Sequence, residues 1–198
     1  MKIFSQFSAK NLKDGFTVLE TLVAVFVLSI AIAATLAAAS TGLQSSFYAK
    51  DQITAYYLAQ EAIEVITNIR DKNFITSGGS FLSTAVLNCV SGQGCAVDST
   101  ITIPPSTIEN MTIDCLGQED CFILRYNDTT KQYAHPTPND PSDPAGWTKS
   151  KFTRKTFISV LTVPANDEIA VTTVVTWQAG RFNTKQVVVR KNLLNYDK

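Results

Sequence analysis

Apolar and polar positions fall into three regimes along the chain. Residues 1 to 15 are polar and carry Lys2, Lys10 and Lys13 against one acid, Asp14. From Phe16 to Ala49 the only formal charge is Glu20, and Thr21 to Ala39 is almost wholly Leu, Val, Ala, Ile and Phe, interrupted by Ser29 and Thr35. A hydrocarbon core of about 30 Å takes about 20 apolar residues in a helix, and this run supplies them. Ala and Leu dominate it and no proline precedes Pro104, so it reads as a helix. From Gln44 the character becomes mixed. Leu58, Ala62, Val65, Ile66 and Ile69 then recur at steps of three and four, the stripe of an amphipathic helix, with Glu61, Glu64, Arg70 and Asp71 off it.

The helix is expected to end near Asn73, before the run Thr76-Ser77-Gly78-Gly79-Ser80. Residues 16–43 form its transmembrane half and residues 44–75 its amphipathic continuation, together roughly 90 Å long at 1.5 Å per residue. Gly42 and the serines after it mark where such a helix would bend, because glycine costs up to about 1 kcal/mol in a helix interior.

Beyond residue 80 the period changes to two. Ile169, Val171, Thr173, Val175 and Trp177 alternate with Ala170, Thr172, Val174 and Thr176, a strand signature. Thr156 to Val163 and Thr184 to Arg190 flank it across short turns, which reads as an antiparallel meander. Phe122 to Tyr126 and Lys131 to Ala134 read as a hairpin around Asn127-Asp128-Thr129-Thr130. The expected fold is therefore α+β, a long N-terminal helix packed on a β-rich body of residues 76–198.

Charge and composition narrow the chemistry. The 17 basic and 17 acidic residues of this 198-residue chain balance to zero, which disfavours a nucleic-acid partner. The lysines precede the apolar run, so the positive-inside rule places the amino end in the cytoplasm and the body outside it, across a single span. Disulfides persist in that compartment. The cysteines form two C-x5-C pairs, Cys89 with Cys95 and Cys115 with Cys121. Three connectivities are open. Adjacent pairing is preferred, because each bridge then closes a short glycine-containing loop and contributes roughly 2 kcal/mol. Zinc is the alternative, although the spacing is wider than the usual zinc pairs.

The single histidine, His135, is the one candidate base for a catalytic triad. It opens a proline-rich segment expected to be an exposed loop, and no G-x-S-x-G elbow or glycine-rich phosphate loop accompanies it. Asn139, Asp140 and Asp143 in the 135–147 loop are hard oxygen ligands of the kind calcium takes, without EF-hand spacing. The sequons at Asn110 and Asn127 fit N-glycosylation formally. No cofactor or resident metal is expected, and an anchored enzyme is the less favoured reading.

Glu20 is the odd residue, since a carboxylate near a membrane helix needs a partner or a purpose. It sits in Gly15-Phe16-Thr17-Val18-Leu19-Glu20, after a basic leader and before Thr21-Leu22-Val23-Ala24. That junction resembles the class III leader of type IV prepilins and pseudopilins, and Ala55 to Phe74 resembles the helix continuation of minor pilins. The resemblance implies that residues 1–15 are a leader, that a membrane prepilin peptidase cuts after Gly15 and methylates the amine of Phe16, and that Glu20, fifth in the mature chain, serves assembly. It also implies a pilin-like fold. The expected partners are the peptidase, other pilin or pseudopilin subunits, an inner-membrane assembly platform and membrane lipid. Localisation would be the inner membrane and then an extracytoplasmic filament, either a pilus or, alternatively, a type II secretion pseudopilus. An ordinary secretory signal cut near Ala37-Ala38-Ala39 is the competing reading; the apolar run exceeds the roughly 7–15 residues of such signals and holds an acid at its start.

Overall fold

One helix and one sheet organise the chain. The computed structural model describes residues 15–76, 86, 89–90, 92–100, 112–115, 118–135, 146–161, 168–180 and 183–194. Helix α1 spans Val18–Thr76, 59 residues, and passes through Gly42 and the following serines as helix. Three residues beyond the expected end at Asn73 are helical. The chain divides into two units, Met1–Phe47 and Tyr48–Lys198, and each is described by itself.

In the first unit, every side chain from 15 to 47 is exposed. The helix there is long and apolar enough to cross a membrane, and none of its most apolar window is buried. Past its first turn the helix satisfies its own backbone ladder, so those groups need no outside partner.

The second unit is an α+β body. Its strands are β1 (Ala96–Val97), β2 (Thr112–Ile113), β3 (Ile123–Asn127), β4 (Gln132–Ala134), β5 (Trp147–Val160), β6 (Glu168–Gln178) and β7 (Thr184–Leu194). Five of them form an antiparallel sheet in the order β4-β3-β5-β6-β7, and β1 pairs with β2 apart from it. The expected meander is β5, β6 and β7, and the expected hairpin is β3 and β4, with Lys131 at φ 58° closing the turn. β5 begins at Trp147, nine residues before the stretch its apolar pattern marks.

Parity decides which face is buried. Ile169, Val171, Thr173, Val175 and Trp177 are all buried, and the alternate residues of β6 from Thr172 to Thr176 are half-buried. The stripe on α1 meets them. Ala62, Val65, Ile66 and Ile69 pack with Ile158, Ile169, Val171 and Leu193, while Leu58 with Ala55 and Ala59 packs with Leu124, Phe152, Val175 and Trp177. Burying one such aliphatic side chain contributes about 1.5–3 kcal/mol, so the stripe is the main attachment of helix to sheet. Off the stripe, Arg70 is buried, with its Nη2 2.6 Å from Asp71 Oδ1 and its Nη1 donating to the Leu194 carbonyl at 3.4 Å, and Glu61 is half-buried.

The cysteines pair as Cys89–Cys95 and Cys115–Cys121, with Cα separations of 4.7 and 5.7 Å. The first bridge closes on the sheet, where Cys95 and Thr156 exchange backbone hydrogen bonds of 2.8 and 3.0 Å. Gly94 makes that approach possible. Its φ is +75°, and a Cβ there would lie 2.9 Å from Phe157 and from the Thr156 carbonyl.

Candidate processing and assembly site, and the buried polar network

The junction singled out by sequence lies at the mouth of α1. Gly15, Phe16 and Thr17 are non-helical and exposed, Phe16 at 77%. Thr17 is the helix N-cap: its carbonyl accepts from the Glu20 and Thr21 amides at 3.1 and 3.2 Å, and its Oγ1 accepts from the Glu20 amide at 3.3 Å. Thr17-x-x-Glu20 is thus capping-box spacing, readable in the sequence but missed there, and the forward half of the box is formed. The carboxylate in the first turn also complements the positive end of the helix.

A cut between Gly15 and Phe16 would leave this cap whole and place the new amine one residue before it. Among the described residues, a Cβ on Gly15 would meet nothing within 4 Å, as is also true of Gly42.

The serial exposure beyond Glu20 is the second feature. Leu22, Phe26, Leu28, Ile30 and Leu36 are all exposed. Such a rod is apolar on every side, and that surface is stable only against lipid or other apolar helices.

The second unit holds a buried polar network that sequence reasoning did not locate. Arg125 and Arg154 are its largest fully buried side chains. Arg154, 1% exposed, projects from β5 toward α1; its Nη1 donates to the Leu58 carbonyl at 2.9 Å and its Nη2 to the Val97 carbonyl. Glu61 Oε2 lies 3.6 Å from Nη1. Burial pulls the guanidinium down from its ordinary value, and the carboxylates of Glu61 and Asp98 push it back up. Asp98 accepts from the His135 amide at 3.0 Å and from the Thr100 amide and hydroxyl at 2.8 and 2.7 Å. Arg125 donates to Asp120 at 3.1 Å, and Lys149 reaches the same carboxylate at 2.8 Å, which holds its pKa below the ordinary value.

His135 belongs to this network rather than to an exposed loop, which corrects the sequence expectation. It is 5% exposed. Its Nδ1 faces the Cys121 carbonyl at 3.0 Å and must carry the proton, since a carbonyl only accepts. Nε2 is then the lone pair that takes the Arg154 Nε–H at 3.4 Å. Burial first, and the Arg154 charge second, hold its pKa well below the ordinary imidazole value. With both ring nitrogens engaged inside the protein, the imidazole has none left for a substrate.

A cavity of about 310 Å³ lies beside the network, lined by Glu61, Ser99, Thr100, Lys131, Gln132 and Tyr133. Ser99 Oγ donates to Glu61 there, without a histidine behind the serine. Among the described residues no three of His, Cys, Asp and Glu are grouped to hold a metal ion. All four cysteines are in disulfides, so none is a zinc ligand. Asn139, Asp140 and Asp143 lie outside the described residues, as does Asn110; Asn127 caps the β3–β4 turn, accepting from the Thr129 and Thr130 amides at 2.9 and 3.1 Å. No family model, curated protein or solved structure matches the chain.

Proposed function

We propose that this chain is a structural subunit of a type IV pilus-type filament, made as a membrane-anchored precursor, cut between Gly15 and Phe16, and assembled through the apolar segment of residues 16–43. The observation that carries the reading is the junction itself: a capped helix start, with Glu20 as the only charge between Phe16 and Ala49, opening a rod that is apolar on every side. The function is packing rather than chemistry. The bilayer stores the rod, a prepilin peptidase frees and methylates its end, and an inner-membrane platform passes it into a bundle of similar helices. In that bundle the Glu20 carboxylate neutralises the Phe16 amine of a neighbour, because a lone charge among apolar helices is expensive and a hydrogen-bonded pair is far less so.

The pair also sets the axial register between subunits. Glu20→Val is expected to leave membrane insertion intact and to remove the protein from sheared filaments, scored by immunoblot of the filament and membrane fractions. Unchanged incorporation would overturn the role given to Glu20. Pili and type II secretion pseudopili share this leader, and the reading covers both.

A further inference from the structure

The sheet has two very different edges. β4 is three residues long, whereas β7 has eleven, contains no proline, and closes the sheet with its outer side carrying no strand among the described residues. Long edges of this kind are templates for another strand unless they are blunted. Register fixes which β7 side chains face the helix: Lys185, Val187, Val189, Lys191 and Leu193 lie opposite Trp177, Val175, Thr173, Val171 and Ile169. Beside them runs a groove of about 700 Å³, floored by Ile53, Tyr56, Tyr57 and Gln60 of α1 and walled by Val187. Ile53 and Tyr57 are 58% and 66% exposed. The same flank of α1 meets β7 where Lys191 reaches Thr67 Oγ1 at 3.3 Å.

The edge therefore presents two valines framed by two inward-facing lysines. Arg190 adds a third cation on the strand, β7 has no acid, and among the described residues none of the three is ion-paired with a carboxylate. Inward lysines blunt an edge against strands that cannot pair with them, repel basic strands and favour acidic ones. We infer that β7 is a docking edge for an extended segment of another protein, which adds a sixth strand with apolar side chains over Tyr56 and Tyr57 and a carboxylate at each end opposite Lys185 and Lys191. A strand lying about 4.8 Å outside β7 sets its inward side chains beside Val187 and Val189, above the groove floor. Backbone hydrogen bonds supply the affinity, and the two charge pairs set register and choice of partner.

The test uses the full chain in detergent micelles and a fluorescein-labelled seven-residue peptide of threonine alternating with inward residues in the order aspartate, valine, valine, aspartate. Anisotropy is expected to show saturable binding and at least about tenfold weaker binding of the peptide ending in lysines. The double variant Lys185→Glu/Lys191→Glu is expected to invert that preference, and Tyr57→Ser to weaken the acidic peptide several-fold, with thermal melts followed by near-UV circular dichroism confirming that each variant is folded. An acidic peptide N-methylated on alternate amides should bind from one phase of methylation and fail from the other. No binding at millimolar peptide, equal binding of both peptides, a preference that the double variant leaves unchanged, or indifference to N-methylation overturns the proposal. So does concentration-dependent self-association that the peptide competes away, because the occupant is then a second copy of this chain.

Discussion

The two stretches of α1 share one secondary structure and differ in what covers their apolar surface. From Val18 to Phe47 the apolar side chains point in all directions and stay exposed. From Tyr48 onward they narrow to a stripe, Ala55, Leu58, Ala59, Ala62, Ile66 and Ile69, which β5, β6 and β7 bury. Helix formation therefore says little about stability in either stretch. In the second, the sheet provides the apolar surroundings. In the first, no described residue covers the apolar surface, and the helix is long and apolar enough to cross a membrane. The polar residues follow the same division: Glu20 has its carboxylate at an exposed helix mouth, whereas Glu61 stands against a buried guanidinium.

The largest expected contrast comes from placing one aspartate in each stretch. Ile66→Asp buries a charge in the core and should destabilise the body by more than about 4 kcal/mol, enough to unfold a domain of ordinary stability. Ile30→Asp should leave the melt of the body unchanged and impair membrane insertion, by about 3 kcal/mol at a helix centre. Tryptophan fluorescence melts and carbonate extraction of membranes read the two effects separately, and a shared response to both substitutions would erase the distinction.

Arg154→Ala comes next. It strands Glu61, Asp98 and the Leu58 and Val97 carbonyls, for a loss of about 3–5 kcal/mol in urea unfolding. Adding Glu61→Gln should recover part of that loss, since one carboxylate then no longer needs a cation. A double variant no better than the single would show that Glu61 plays no part in balancing Arg154.

The smallest effect is on pH. His135 is neutral in the fold, with its pKa held below the ordinary 6.5, so the unfolded chain binds the extra proton. The contribution is full above about pH 6.5 and falls away as the pH drops toward the depressed folded value, by at most about 1.4 kcal/mol per pH unit. His135→Asn should remove that slope between pH 6.5 and 5, as measured by urea midpoints. A wild-type stability flat across that interval would contradict the buried neutral tautomer.

Local periodicity made much of this fold legible. The apolar run, the stripe on α1 and the alternation in β6 each report a single solvent-facing geometry, and adjacent pairing of the cysteines agrees with the bridges present. The start of β5 was hidden because Thr148, Lys149 and Lys151 are exposed; that stretch is a strand through backbone pairing with β3, which leaves no apolar pattern. Arg154 had a readable sign. It shares parity with Phe152, Thr156 and Ile158, which places its charge on the buried face. His135 had none, because its partners Cys121, Asp98 and Arg154 are distant in sequence and only the fold assembles them. At the candidate site, the cap at Thr17 was legible in its spacing to Glu20, which went unread.

The most direct test is the intact mass and amino-terminal sequence of the protein taken from cells that carry a prepilin peptidase. The expected product is a chain that begins at Phe16, lacks residues 1–15 and carries one added methyl group on that amine. A chain that keeps Met1 through Gly15, or one that begins after Ala39, would contradict it.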